Sequence, residues 1–156
     1  MFQILLLLGF IIPAIFFLIT QERTLLAIQP ANRLMGPGMV WLQLIPGFGL
    51  VWQFVVVRKI SFSISKEMEF VKDDSILGIT AQTVGKQNKR PTLAIGIIYC
   101  SLISIGIVLN LSRRFAPGVP MPGPLFSLSG MICWIIYWIN LFGYKSKLKQ
   151  MAVSNR

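Results

Sequence analysis

Met39-Val40-Trp41-Leu42-Gln43-Leu44-Ile45-Pro46-Gly47-Phe48-Gly49-Leu50-Val51-Trp52-Gln53-Phe54-Val55-Val56-Val57 is a run of about nineteen residues with no charged side chain. That is the length a helix needs to cross a hydrocarbon core of roughly 30 Å. Three more runs match it, over residues 2–20, 92–110 and 125–143. Four such runs in 156 residues predict an all-α integral membrane protein with four transmembrane helices. Mean hydropathy of +0.70 points the same way and lies outside the range of a soluble domain. The polar stretches between the runs are too short for a second core, so residues 1–156 read as one membrane domain.

Charge gives the expected orientation. Eleven of the fifteen Lys and Arg residues fall in two segments. One is the loop 58–91, with Arg58, Lys59, Lys66, Lys72, Lys86, Lys89 and Arg90; the other is the tail 144–156, with Lys145, Lys147, Lys149 and Arg156. The remaining two connections carry Arg23 and Arg33, then Arg113 and Arg114. The positive-inside rule then predicts a four-pass chain with both termini and the loop 58–91 in the cytoplasm. The retained first run is expected to be a helix rather than a signal peptide. It has no basic flank before it, and Gln21-Glu22-Arg23 follows in place of a small-residue cleavage site.

The net charge of +10 is read as topology plus attraction to anionic lipid. Each basic residue near the surface is worth about 1 kcal/mol. Arg58, Lys59, Lys89, Arg90, Lys145 and Lys147 are the headgroup candidates. No nucleic-acid partner is expected, because residues 79–90 have no aromatic side chain between their cations. No catalytic, cofactor or metal site is expected either. The chain has no His, and none of the four runs contains Asp, Glu, Lys or Arg. Glu67, Glu69, Asp73 and Asp74 read as a solvated helix end. Residues 78–86 lack the glycine spacing of a phosphate loop, and Gln87 stands where Ser or Thr would hold magnesium.

Inside the second run, Pro46-Gly47-x-Gly49 predicts a kink or an unwound turn. Close helix packing is its first explanation; a discontinuous helix around a substrate path is the second. Gln43, Pro46, Gly47 and Gly49 are therefore the candidate kink or pore residues. After Arg58-Lys59, the spacing of Ile60, Ile64, Met68 and Val71 predicts an amphipathic cytoplasmic helix lying on the membrane or against a partner. Phe62 falls off that stripe. In the third run Gly96, Cys100 and Ser104 form a small-residue stripe, and Ser129, Gly130 and Cys133 open the fourth. Small faces let membrane helices approach closely, so these two are expected to pair, or to receive another chain. The cysteines count as small apolar residues.

Asn32-Arg33, Pro37-Gly38, Val40-Trp41, Ile45-Pro46, Leu50, Trp52 and Ile60 carry a resemblance. They are similar to the signature of a family of small, uncharacterised, multi-pass bacterial membrane proteins, a domain of unknown function. The signature spans about a quarter of the chain. It implies a helical bundle in the bacterial inner membrane and no particular activity. Three functions follow as expectations. The first is a non-catalytic subunit or scaffold of a larger membrane assembly, with self-association or other subunits as partners. The second is a homo-oligomeric pore or membrane effector lined by the second run. The third is a small-molecule or lipid carrier using the break at Pro46.

Overall fold

The computed structural model describes residues 2–76, 92–112, 115 and 122–154. In chain order it has helix α1 (Phe2–Leu26), a short 3₁₀ turn (Pro30–Asn32), a longer 3₁₀ arm (Pro37–Leu44), α2 (Phe48–Ile76), α3 (Leu93–Ser112) and α4 (Gly123–Ser154). The described residues contain no strand. Phe48–Phe70, Leu93–Ser112 and Gly123–Met151 are long and apolar enough to cross a membrane. The first apolar run lies in α1, where the side chains of residues 2–8 are outside those described.

The second apolar run is not one helix. Its first half is the 3₁₀ arm, and its second half begins α2. Local chemistry explains the division. The ring of Pro46 disfavours the helical region for the residue before it, and Ile45 is extended at φ −72°, ψ 117°. Gly47 then takes φ +77°, a left-handed conformation that favours glycine, and the chain reverses. The arm and the start of α2 therefore form a hairpin. Gly49 lets the two limbs close: a Cβ there would fall on the Gln43 carbonyl oxygen, with the carbonyl carbon at 3.0 Å.

Side chains fasten the hairpin. The Trp52 indole N–H donates to the Met39 carbonyl at 2.8 Å, and Gln43 Nε2 donates to the Val40 carbonyl at 3.0 Å. Carbonyls that an α-helix would have used internally thus find partners on the hairpin itself. Backbone bonds close the turn, with Gly49 N donating to Ile45 O at 2.7 Å and Phe48 N to Pro46 O at 2.9 Å. Trp52 also stacks on Phe48, their ring centroids 5.3 Å apart.

That reversal changes the course of the chain. Thr20 accepts from the Trp138 indole at 3.0 Å, and Phe17 meets Trp134 with centroids 5.2 Å apart, so α1 and α4 run the same way. Gln53 donates to Ser104 Oγ at 3.1 Å, and a Cβ on Gly96 would strike Val57, so α3 opposes α2. Gly106 lies against Ser127 and Gly130 against Ile103, so α3 opposes α4 as well. Helices α1, α2 and α4 are therefore parallel, with α3 running against them. Strict alternation of four crossings would have set α2 against α1. The extra turn at Gly47 is the physical reason for the difference.

The segment after α1 confirms the shared direction. Glu67 Oε2 accepts from Asn32 Nδ2 at 2.7 Å and from Gln29 N at 3.2 Å. Ser63 Oγ accepts from Leu34 N at 2.9 Å, and Lys66 Nζ donates to the Ala31 carbonyl at 2.9 Å. Arg33 closes the end of α1 by donating to the carbonyls of Ile28 at 2.8 Å and Leu26 at 3.2 Å. Residues 27–36 and the second half of α2, expected on opposite sides of the membrane, thus meet at one end of the bundle.

Ile60, Ile64 and Met68 sit in the core of the chain itself, with Leu25, Ile28, Met35 and Val40 among the buried residues around them. The amphipathic stripe continues α2 without a break, and its apolar face is covered from within. Val71, the fourth member of the stripe, has a side chain outside those described. Phe62 has the Arg58 guanidinium 5.8 Å from its ring centroid. Glu67, read from the sequence as part of a solvated acidic cluster, is buried.

Candidate functional site

The Pro46–Gly49 turn opens onto a cavity of about 950 Å³. Such a volume is at the upper end of the usual range for small-molecule sites, roughly 300–1,000 Å³. α1 contributes Ala14, Phe17 and Leu18; the hairpin contributes Gln43 to Gly47, Gly49, Leu50 and Gln53. α3 adds Tyr99, Ile103, Ile107 and Asn110, and α4 adds Pro124 through Trp134 at helical spacing. Among the described residues no Asp, Glu, Lys or Arg lines it. Leu44, Ile45, Pro46, Gly47 and Leu128 are exposed, so the cavity opens on the flank of the bundle.

Its depth follows from the register of the helices. Gln53 is level with Ser104. Phe48 stands five residues beyond Gln53, about 7 Å along a helix. Ser112 ends α3 eight residues beyond Ser104, about 12 Å away. The turn therefore lies within the length of α3 and short of its end. Irregular backbone at such a depth in a membrane is tolerated where it is buried in protein or lines a cavity. Here it lines one.

Two amides on the wall are fixed in orientation. Gln43 Nε2 donates to Gln21 Oε1 at 2.7 Å as well as to the Val40 carbonyl. Gln53 Nε2 donates to the Leu50 carbonyl at 3.1 Å as well as to Ser104. A backbone carbonyl can only accept, so in both residues the nitrogen is set and the oxygen points away from those bonds. Asn110 Nδ2 donates to Ser127 Oγ at 3.3 Å, and the Ser127 hydroxyl donates in turn to the Gly123 carbonyl at 3.1 Å. Tyr99 lines the cavity, and its hydroxyl is buried without a hydrogen-bond partner.

Of the residues singled out from the sequence, Gln43, Pro46, Gly47 and Gly49 come together here. The small residues are used elsewhere within the chain. Gly96 is enclosed by Val57 and Tyr137, and Cys100 is buried in the core. Ser104 receives the bond from Gln53, and Gly130 lies under Ile103 and Leu102. Ser129 bonds back to its own helix at Leu125 O, 2.8 Å, and Cys133 packs against the core with its thiol free. The faces expected to receive another chain are thus largely occupied from inside.

The headgroup candidates are dispersed. Arg58 and Lys59 are exposed on α2; Lys145 lies 4.4 Å from the Phe142 ring centroid and Lys147 5.6 Å from that of Tyr144. Lys89 and Arg90 lie outside the described residues. Among the described residues no group of three His, Cys, Asp or Glu side chains is placed to hold a metal ion.

Sequence reasoning missed Phe17, Ser127 and Trp134 as cavity residues. They belong to α1 and α4, and only the register of the bundle brings them to the hairpin. No protein-family model, curated protein or solved structure matches this chain.

Proposed function

We propose that this protein holds an uncharged apolar molecule, a lipid or lipid-like compound, in the cavity between the hairpin, α1, α3 and α4. It does so as a multi-pass protein of the bacterial cytoplasmic membrane. The observation that carries this reading is the siting of the cavity at the Pro46–Gly49 turn, with no charged side chain among the described residues that line it. The carrier or binding reading needs such a break. The subunit reading takes the small-residue faces and the amphipathic segment 60–71 as docking surfaces, and the chain's own side chains cover much of both.

In this arrangement α1, α3 and α4 cross the membrane. The segment 37–76 enters from the side where α1 ends, turns at Gly47 and returns as α2 to the same side. All Lys and Arg residues except Arg113 and Arg114 then belong to that side. The positive-inside rule makes it the cytoplasm, with the first residues of α1 outside.

The test is direct. The full chain is purified in mild detergent, extracted with organic solvent, and the extract identified by mass spectrometry. A single class of apolar molecule at fixed ratio is expected from the wild type, with little from Ala14→Trp, which fills the cavity. An extract holding only bulk membrane lipid, or unchanged in the variant, would reject the proposal.

A further inference from the structure

Resting on that reading of the cavity, we infer that its ligand is a neutral lipid carrying a free hydroxyl group, which donates its one hydrogen to the side-chain carbonyl of either Gln43 or Gln53. Both amide hydrogens of Gln43 are spent, on Gln21 and on Val40. Both amide hydrogens of Gln53 are spent, on Leu50 and on Ser104. What these two residues offer a ligand is an acceptor oxygen each. Among the described residues the wall also carries the Trp134 indole N–H, the Asn110 side-chain amide and the Ser127 hydroxyl.

The chemistry of the ligand follows by matching. An ester, ether or ketone only accepts, and would leave both glutamine oxygens unmatched in a largely apolar space. An ammonium donates but brings a charge to a lining with no acidic side chain among the described residues, where its desolvation is uncompensated. A phosphate is charged and accepts. A hydroxyl donates to a glutamine oxygen and accepts from an N–H on the same wall. The exposed mouth at Leu44–Gly47 lets a long hydrocarbon tail continue from the cavity into the bilayer.

Dioleoylglycerol is the probe, in radiolabelled form, bound to the full chain in detergent micelles. Unlabelled dioleoylglycerol, its methyl ether and dioleoylphosphatidic acid compete against it. The alcohol should compete about tenfold better than the ether, the worth of about one hydrogen bond. Phosphatidic acid should be the weakest. In the Gln43→Leu, Gln53→Leu double variant the alcohol and ether should become equal. Equal competition in the wild type would overturn the hydroxyl assignment while leaving the cavity as an apolar site. Stronger competition by phosphatidic acid would overturn it in favour of a charged headgroup. No saturable binding by any of the three would reject the cavity reading as well. The wild-type series decides these outcomes even if the double variant does not fold.

Discussion

Asn32 and Glu67, 35 positions apart, are joined by a buried hydrogen bond of 2.7 Å from the Asn32 amide to the carboxylate. The same oxygen accepts from the Gln29 backbone. The pair ties the end of the α1 segment to the outer half of α2. Removing the carboxylate leaves a buried donor without a partner. Glu67→Ala should therefore cost about 2 kcal/mol, with Glu67→Gln costing less because it retains an acceptor. Thermal unfolding in detergent reads the loss. A double-mutant cycle with Asn32→Ala should show coupling, and additive effects would mean the bond contributes nothing.

Gly96 and Gly143 make a matched pair of helix glycines. A methyl group on Gly96 would stand 2.9 Å from Cε2 of Tyr137 and strike Val57, whereas one on Gly143 meets nothing within 4 Å. Gly96→Ala should destabilise by about 1–3 kcal/mol through overpacking. Gly143→Ala should be neutral or stabilising by about 0.5–1 kcal/mol, because it removes flexibility from a helix interior. The order of their melting temperatures checks the packing of α2, α3 and α4.

The hairpin glycines fail for different reasons. At Gly47 there is open space but a left-handed backbone, and at Gly49 the neighbour is the Gln43 backbone, which cannot step aside. Gly47→Ala should cost about 1–2 kcal/mol, and Gly47→Asn less, since Asn adopts that conformation more readily. Gly49→Ala should separate the two limbs and lose more stability than either. It should also abolish retention of the apolar ligand, whereas Gly47→Asn keeps it. Ligand content and melting temperature, measured on the same preparations, separate the two effects.

The helical, membrane character of this chain was readable from hydropathy, and so was a break at Pro46-Gly47. The direction of α2 was not. A hydropathy run counts apolar residues and is blind to reversal, so two limbs of a hairpin look like one helix. The clue lay in side chains able to cap loose carbonyls, Gln43 and Trp52, on either side of a proline–glycine pair. The role of Glu67 was hidden because its partner is distant in sequence, and a carboxylate near Glu69 and Asp73 reads as solvated. The cavity was half legible: its hairpin wall is contiguous, while Phe17, Asn110 and Trp134 come from three helices whose register only packing sets.

The last prediction separates the two courses of the chain. Leu34, Phe70 and Phe115 are all well exposed, at 40%, 47% and 83%. Leu34 belongs to the segment pinned on α2, Phe70 to the outer half of α2, and Phe115 follows the opposite end of α3. Single cysteines at these positions, in a background with Cys100→Ala and Cys133→Ala, can be labelled in intact cells with a membrane-impermeant maleimide. A hairpin returning to one side predicts that Phe115→Cys labels from outside, while Leu34→Cys and Phe70→Cys label only after the cells are opened. Four alternating crossings predict that Leu34→Cys labels together with Phe115→Cys. Leu34 alone decides between them, because it is the position the reversal at Gly47 moves from one face of the membrane to the other.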